Sequence, residues 1–310
     1  ADGAPGDFFG RSVALSRDGS TALAGSLGTD VGGNVDQGAA YVFGRSGSFW
    51  TQQAKLTAAD GAANDEFGCS AALSRDGNIA LIGAYFANVG GQVNQGAAYI
   101  FTRSGDSWTQ QAKLTASDGA ASDFFGYSAA LNQDGNTALI GALNKKVGGN
   151  AGQWAAYVFT RSLDTWTQQA KLTTSDGAAA DYCCTSVALS RDGDTALISA
   201  AGADVGGNVD QGAAYVFARS GAFWTQQVKL TAADGAAGDM FGFSAALCDD
   251  GYTVLLGAAW ADVGVKSDQG VAYVFAVGTL KFAAYAYSVS EDSGMVTVAV
   301  TRVNDSSGVA

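Results

Sequence analysis

The sequence predicts an all-β fold, a β-propeller built from four-stranded antiparallel blades. The first observation is a stretch that recurs five times with a period of 58 residues. The second is that each copy reads as four short strands separated by turn signals. The third is that no segment shows a sustained helical period. Strands at this spacing are typical of propeller blades, whereas the coils of a linear β-solenoid, the alternative fold, are usually shorter.

The second copy shows how one blade is encoded. Its predicted strands are Cys69–Ser74, Ile79–Gly83, Gly96–Arg103 and Trp108–Thr115. Asp76-Gly77 lies between the first two strands and is a strong signal for a tight hairpin. The second strand is almost wholly apolar, as expected of a strand that is buried on both faces, and the alternation of the fourth indicates one covered and one solvated face.

The repeats divide the chain into five predicted blades and a tail. The blades span about residues 1–58, 59–116, 117–174, 175–232 and 233–277. The fifth blade has three strands of the repeat and no good fourth. Either an upstream strand is missing, which gives five blades, or whole repeats are missing, which gives six or seven, or the tail or a neighbouring subunit fills the gap. The chain starts at Ala1 without Met and inside a repeat, so we expect a processed or partial chain.

Composition excludes several classes of function. The chain of 310 residues is 47% hydrophobic and 15% charged, which is enough apolar matter for a large core. Its formal charge of −12 and the lack of a basic patch predict no binding to nucleic acid. No apolar run reaches the length of about 18 residues that a membrane span needs. His is absent, which removes the commonest general base and metal ligand.

The four Cys residues fall at different positions of the repeat, so no disulfide is built into each blade. Cys183-Cys184 replaces the Phe-Gly pair of the other copies. Two interpretations stay open at this point: isolated substitutions by a small hydrophobic residue, or a disulfide between some of the four.

The residues that recur in every copy resemble a known repeat. Phe-Gly stands at Phe9-Gly10, Phe67-Gly68, Phe125-Gly126 and Phe241-Gly242, and it is followed by a strand, Asp-Gly and then Gly-Ala, as at Gly83-Ala84. This order resembles the FG-GAP repeat of integrin α-subunit propellers and of many bacterial surface proteins. The resemblance covers roughly residues 1–277 and departs from the family where its proline would follow Gly-Ala.

The tail, residues 278–310, does not continue the repeat. It reads as an extended segment, a turn at Glu291–Gly294 and an alternating strand, Met295–Arg302. Residues 287–292 and 296–302 resemble the opening of a Calx-β domain, a β-sandwich about three times as long. The resemblance therefore implies a partial β-sandwich segment, with Glu291 among its calcium ligands. A two-stranded piece is marginal in water, so we expect another chain or the propeller to complete its sheet.

Spaced Asp residues form a candidate calcium site. The FG-GAP family often holds Ca²⁺ in the hairpin between the first two strands, but here that hairpin is short and Ala22 or its equivalent replaces the closing acid, so we predict a plain turn. The link that leads into each blade, the lead-in link, carries two Asp, and the loop after the second strand adds more. These should share one face of the propeller. The candidate ligands are Asp2, Asp7, Asp30, Asp36, Asp60, Asp65, Asp118, Asp123, Asp204, Asp210, Asp234, Asp239, Asp262 and Asp268.

The alternative interpretation is that these Asp residues stabilise turns by accepting hydrogen bonds from backbone N–H groups. The third copy favours this alternative, since Lys145 and Lys146 stand in its loop and Gly152 replaces an Asp. Ca²⁺ therefore stays a candidate cofactor.

Aromatic residues that break the repeat are candidates for contact with a partner. They are Tyr85, Phe86, Trp154 and Trp260, all in or next to the loops between the second and third strands. Unmatched aromatic side chains on a repetitive scaffold could form a contact patch. They could equally fill gaps within individual loops.

Neither a His nor a nucleophile beside a recognisable base is present, which favours a non-catalytic function. We expect an extracellular or cell-surface module for binding, adhesion or assembly, not an enzyme, that contacts a protein partner or associates with itself through its C-terminal strands. The first alternative is a carbohydrate-binding propeller that uses Trp154 and Trp260 as platforms for sugar rings. The second is an enzyme that cleaves polysaccharides with paired Asp.

Overall fold

The computed structural model describes residues 2–147, 153–174, 176–178, 181 and 184–277, and the backbone of residues 183, 284–292 and 295–303. These residues form five antiparallel sheets, one for each repeat, in which sequential strands are neighbours. The prediction of an all-β propeller with four-stranded antiparallel blades is confirmed, and of the numbers of blades that the sequence left open the structure has five. The sheet of blade 5 carries a fifth strand. No helix among the described residues is long and apolar enough to cross a membrane.

The strands follow one order in every blade, from the first strand at the axis to the fourth at the rim. Blades 1 and 2 contain β1 (Phe9–Leu15), β2 (Thr21–Ser26), β3 (Ala39–Ser46), β4 (Phe49–Leu56), β5 (Ala71–Leu73), β6 (Ile79–Ala84), β7 (Ala97–Ser104) and β8 (Ser107–Leu114). Blades 3 and 4 contain β9 (Phe125–Leu131), β10 (Thr137–Ala142), β11 (Ala155–Ser162), β12 (Thr165–Leu172), β13 (Cys183–Leu189), β14 (Thr195–Ala200), β15 (Ala213–Ser220) and β16 (Phe223–Leu230). Blade 5 contains β17 (Phe241–Leu247), β18 (Thr253–Ala258), β19 (Val271–Ala276), β20 (Ala284–Asp292) and β21 (Met295–Val303).

The core lies between the blades. Every residue of β6 and β10 is buried, as predicted for strands that are covered on both faces. The Phe of each Phe-Gly pair packs edge-on against two aromatic rings of its own blade: Phe125 lies 5.5 Å from Tyr157 and 6.0 Å from Phe159, between ring centroids. The preceding blade covers this aromatic group with small and branched side chains, and the apolar contact of the two faces holds neighbouring blades together.

Four such interfaces join blades 1 to 5, and the described residues form no equivalent apolar cluster between blades 5 and 1. Phe9, on the free face of blade 1, is 58% exposed, whereas Phe67, Phe125 and Phe241 are fully buried. Leu255, on the free face of blade 5, is 46% exposed. Blades 1 and 5 therefore each present half of an interface that the chain makes four times.

The C-terminal strands extend the sheet of blade 5. Strand β20 pairs with β19, with Tyr273 opposite Ser288, and β21 pairs with β20. The tail thus supplies the fourth strand that the fifth repeat lacks, which is one of the three options that the sequence left open. The sequence analysis expected another chain or the propeller to complete the sheet of the tail, and in the structure the propeller does so. The pairing follows from the free edge of β19, whose backbone groups need a neighbouring strand.

Three cysteines, Cys69, Cys184 and Cys248, are free. Their distribution over the blades explains this, because Cys69 and Cys184 are buried in different blades. The side chain of Cys183 lies outside the described residues.

Candidate functional site

Five hairpins meet at the axis of the propeller. Each one connects the first and second strands of a blade. The residues two positions before the hairpin Gly, which we call the axial ring, are Arg17, Arg75, Gln133, Arg191 and Asp249. Backbone hydrogen bonds join neighbours in the ring: the N–H of Arg17 donates to the carbonyl of Arg75 at 3.0 Å, and Arg75, Gln133 and Arg191 donate to the next carbonyl at 2.8, 3.2 and 2.8 Å. Consecutive hairpins thus fix one another around the axis.

The side chains of the axial ring converge on Asp249. Arg17 Nη1 donates to Asp249 Oδ2 at 2.6 Å, and Gln133 Nε2 donates to the same oxygen at 2.8 Å. Arg75 Nη1 in turn donates to Gln133 Oε1 at 3.1 Å. Asp249 is the one carboxylate in this ring, and it comes from blade 5 while its donors come from blades 1 and 3.

The axial ring surrounds a cavity of about 350 Å³. Leucines of the innermost strands line it below the charged side chains: Leu15, Leu73, Leu131 and Leu189. A second cavity of about 640 Å³ shares Arg17, Arg75 and Gln133 with the first, and Asp18, Asp76 and Asp134 complete its lining. A small polar molecule can therefore reach Asp249 from solvent, with an apolar floor beneath it.

The hairpins that carry the ring are rigid turns. In blade 1, Asp18 Oδ1 accepts hydrogen bonds from Ser16 Oγ at 2.7 Å and from the N–H of Ser20 at 2.9 Å. Gly19 follows with a φ of +64°, which Gly adopts without strain. The hydrogen bond from Ser16, together with those from Ser20, lowers the pKa of Asp18 to about 2. Asp18 therefore stays ionised and stabilises the turn, while Arg17, the residue before it, faces the axis.

This arrangement suits acid–base chemistry on a polar substrate. A carboxylate that is open to solvent can accept a proton from water, and guanidinium groups beside it can stabilise an oxyanion by charge-assisted hydrogen bonds. The sequence analysis missed the site because it treated the hairpins as plain turns. The available signal was the residue before Asp-Gly, which reads Arg, Arg, Gln, Arg and Asp in the five copies.

The structure separates the aromatic residues that were expected to form a contact patch. Tyr85 and Phe86 are half-buried and belong to a group of stacked and edge-on rings with Phe124. Trp260 is 39% exposed and packs edge-on against Phe243 at 4.8 Å in blade 5.

Trp154 has to be corrected as a candidate contact residue, because it is fully buried. Its ring lies 5.9 Å from that of Tyr215, in the core between blades 3 and 4. The contact role of Tyr85, Phe86 and Trp260 stays a prediction.

The paired Asp of the lead-in links are engaged within their own blades. The first of each pair bonds to a Tyr or Lys: Asp60 accepts from Tyr99 Oη at 3.1 Å and from Lys113 Nζ at 2.6 Å. Equivalent bonds hold Asp2, Asp118, Asp176 and Asp234. The second of each pair accepts a backbone N–H three residues earlier, as Asp65 does from Ala62 at 2.8 Å. Asp7, Asp123, Asp181 and Asp239 do the same.

The Asp of the loops after the second strands also stabilise their own turns. Asp30 Oδ1 accepts the N–H of Asp36 at 3.0 Å, and the same bond joins Asp204 to Asp210 and Asp262 to Asp268. Within the described residues no group of three or more His, Cys, Asp or Glu could hold a metal ion. The side chain of Glu291 lies outside the described part of the chain. These contacts favour the turn interpretation, and calcium stays a prediction.

Comparison with known families identifies the repeat. The FG-GAP repeat family matches residues 1–43, 50–101, 108–159, 166–217 and 224–275. The chain belongs to the FG-GAP repeat family. The match confirms the resemblance that the Phe-Gly and Gly-Ala positions carried, and it ends at the third strand of blade 5. The closer likeness to integrin propellers and the resemblance of the tail to a Calx-β domain stay predictions.

Two solved structures share the propeller fold of this FG-GAP protein. One is the periplasmic gluconolactonase PpgL of Pseudomonas aeruginosa, with 15% identity and a TM-score of 0.53 over 94% of this chain and 84% of that one. The other is a protein of Bacteroides uniformis assigned as a 6-phosphogluconolactonase, with 12% identity and a TM-score of 0.54 over 95% of this chain and 88% of that one. No curated protein matches the sequence.

These neighbours overturn the expected function. We predicted a non-catalytic module for binding or assembly and no enzyme, yet these two structural neighbours are named as lactonases. The prediction was wrong because it searched for His and for a nucleophile within one repeat. The axial ring instead assembles one residue from each of five blades, so it cannot be seen in any single copy.

Proposed function

We propose that this FG-GAP protein is a hydrolase that opens a sugar lactone or a related cyclic ester at the axial ring. The observation that carries the proposal is Asp249, the ring's one carboxylate, which Arg17 and Gln133 hold at 2.6 and 2.8 Å in a solvent-accessible cavity. The names of the two structural neighbours support this class of reaction. A substrate the size of a single sugar ring suits a cavity of about 350 Å³.

In the proposed reaction a water molecule gives a proton to the carboxylate of Asp249 while its oxygen bonds to the carbonyl carbon of the lactone. The carbonyl oxygen becomes an oxyanion, which the guanidinium of Arg75 stabilises. The ring C–O bond then breaks, and the alkoxide that leaves takes the proton from Asp249. The product is an open-chain hydroxy acid, and water is the one co-reactant consumed.

Arg17 and Gln133 have positioning roles in this scheme. Both donate to Oδ2 of Asp249, so this oxygen is held and Oδ1 is left to accept the proton from water. Arg75 is placed by its bond to Gln133 Oε1, which leaves its remaining N–H groups for the substrate. The ring therefore separates the proton acceptor from the group that stabilises the oxyanion.

The test is hydrolysis of D-glucono-1,5-lactone, followed by proton release in a pH-stat above the uncatalysed rate. We expect the wild-type protein to accelerate hydrolysis and Asp249→Asn to lower kcat/KM by about a hundredfold or more. Asp106→Asn, in the exposed turn between β7 and β8, is the matched control and should keep full activity. Absence of catalysis on a panel of sugar lactones, or equal rates for Asp249→Asn and wild type, would overturn the proposal.

We also propose that the protein is exported from the cell. The support is the periplasmic location named for one structural neighbour. Fractionation of the cells that make the protein tests this proposal, since recovery in the cytosolic fraction alone would contradict it.

A further inference from the structure

The arginines of the axial ring are not equivalent. Arg17 is paired with Asp249, and Arg75 donates to Gln133. Arg191 contributes its backbone N–H to the ring, but no hydrogen bond or ion pair engages its guanidinium among the described residues. One of the three arginines is therefore free for a ligand.

No carboxylate forms an ion pair with Arg191 among the described residues. Asp192, the next residue, accepts from Ser190 Oγ at 2.6 Å and from the N–H of Asp194 at 3.0 Å within its own turn. Asp249 is occupied by Arg17 and Gln133. The five ring positions hold three guanidinium groups and one carboxylate, and an Asp follows each of them in the hairpin: Asp18, Asp76, Asp134, Asp192 and Asp250. The attraction for an anion therefore comes from the unpaired guanidinium of Arg191 and not from an excess of positive charge around the axis.

Arg191 is exposed and lines the same cavity as Leu131 and Leu189. A guanidinium can bind a carboxylate or a phosphate through two parallel N–H···O bonds, which fixes the position of the anion as well as its charge. The free arginine, the open mouth and the apolar floor together describe a site for an oxyanion.

We propose that Arg191 binds an oxyanion, a carboxylate or a phosphate, that is carried by the ligand of the axial ring. The proposal rests on the proposed function, and it makes Arg191 a residue that determines specificity. Two sources of this chemistry exist: a fixed phosphate on the lactone substrate, or the carboxylate of the hydroxy acid that hydrolysis releases. In the first case Arg191 selects phosphorylated lactones, and in the second it retains the product.

The experiment compares wild type with Arg191→Gln, which places at this position the side chain that the ring already has at Gln133. The matched control is Arg11→Gln. Arg11 lies near the start of β1, and the hairpin that reaches the axis follows the other end of this strand. Isothermal titration with inorganic phosphate and with D-gluconate measures binding directly. Steady-state kinetics with a neutral and a phosphorylated sugar lactone measure KM and kcat, and circular dichroism melting checks the fold of each variant.

We expect Arg191→Gln to weaken binding of the oxyanion about tenfold to a hundredfold, while Arg11→Gln leaves it unchanged. If the source is the substrate, KM for the phosphorylated lactone rises by this factor and KM for the neutral lactone rises by less. If the source is the product, the inhibition constant of D-gluconate rises instead. Equal binding and equal kinetics in wild type and Arg191→Gln would overturn the proposal.

The two proposals fail in different ways. Binding of phosphate or gluconate that depends on Arg191, without lactone hydrolysis, would overturn the proposed reaction and keep the oxyanion site. Hydrolysis that depends on Asp249 but not on Arg191 would keep the proposed reaction and overturn the oxyanion site.

Discussion

The loop between the second and third strands is built differently in blades 2 and 3. Blade 2 has Ala87 and Gly96 where blade 3 has Lys145 and Trp154. In both loops the backbone N–H of the second residue donates to the carbonyl of the first at 2.9 Å, so this hydrogen bond is kept. Lys145 and Trp154 are nevertheless almost completely buried, at 4% and 0% exposure. The two loops show how the repeat accepts large substitutions without a change of fold.

Gly96 is required by its neighbour. A Cβ atom there would lie 2.1 Å from the carbonyl oxygen of Phe125, and its φ is +86°. Blade 4 has Cys183 at the register of this Phe, and the facing residue of blade 3 is Trp154. The Trp ring takes the place of the Phe ring against Tyr215, so the aromatic group comes from the preceding blade instead of the following one. Two substitutions that would each be disruptive compensate each other.

The largest effect should follow from removing the Phe ring at an interface where the Phe-Gly pair supplies the aromatic group. Phe125→Ala deletes a fully buried ring from the interface of blades 2 and 3, and we expect a loss of about 3–5 kcal/mol in the free energy of unfolding. Phe9→Ala is the matched control at the free face of blade 1. Its ring is 58% exposed, so we expect a loss of about 1 kcal/mol or less. Urea denaturation of both variants makes the measurement, and equal losses would mean that the face of blade 1 is covered in solution.

The buried charge of the blade 3 loop gives the second prediction. Lys145 Nζ lies 2.8 Å from Asp123 Oδ2, and both side chains are buried. Lys145 Nζ also donates to the carbonyl oxygen of Asp118 and lies 3.7 Å from its carboxylate. Asp123→Asn removes the nearer and buried carboxylate, and we expect a loss of about 3 kcal/mol in the free energy of unfolding. Lys145→Ala restores the Ala that blades 2, 4 and 5 have at this position and leaves Asp123 bonded to the N–H of Ala120, so it should cost less than Asp123→Asn. The opposite order of the two losses would show that the ammonium group reaches solvent.

The third prediction restores the usual Gly and Phe at the interface of blades 3 and 4, where the chain has Trp154 and Cys183. Trp154→Gly loses a buried ring, which costs about 3–5 kcal/mol, and relieves a Trp backbone at a φ of +97°, which returns about 1–2 kcal/mol. We expect a net loss of about 2–3 kcal/mol. Adding Cys183→Phe should recover most of it, because the pair then matches Gly96 and Phe125. A double-mutant cycle in urea measures the coupling, and additive losses would contradict the exchange.

These pairs explain what could be predicted from the sequence. The period of 58 residues, the hairpins and the buried second strands each depend on residues close in sequence, and they led to the correct blades. The burial of Trp154 depends on a position in the next blade. Both departures from the repeat were visible, Gly to Trp and Phe to Cys, but their connection requires the geometry of packed blades.

The axial ring needed still more of the structure. Arg17 and Asp249 are far apart in sequence and touch because five hairpins converge on one axis. The expectation of a non-catalytic protein rested on the absence of His and of a nucleophile beside a base, and it did not consider side chains that come together from different copies. Residues that vary at one position of a repeat, where all copies meet, are the signal to search for in such chains.

The smallest effect should follow from Asp65→Asn in blade 2, the counterpart of Asp123→Asn. Asp65 is buried, but no Lys lies in its loop, and burial raises its pKa above the ordinary value. A carboxyl group whose pKa is raised on folding binds its proton more tightly in the native state, so it lowers stability as the pH rises from about 3.9 through its folded pKa. Asn removes this dependence and keeps an oxygen for the N–H of Ala62.

We therefore expect the free energy of unfolding of Asp65→Asn to lie within about 0.5 kcal/mol of wild type near the ordinary pKa of Asp and to exceed it at neutral pH. Urea denaturation at several pH values makes the comparison, with Asp123→Asn measured beside it. Both substitutions replace Asp by Asn at equivalent positions. Their surroundings differ, because a buried Lys faces the carboxylate of Asp123 and none faces that of Asp65. A loss at neutral pH for Asp65→Asn as large as that for Asp123→Asn would show that a cation also compensates Asp65 in solution, and would return the lead-in Asp to consideration as metal ligands.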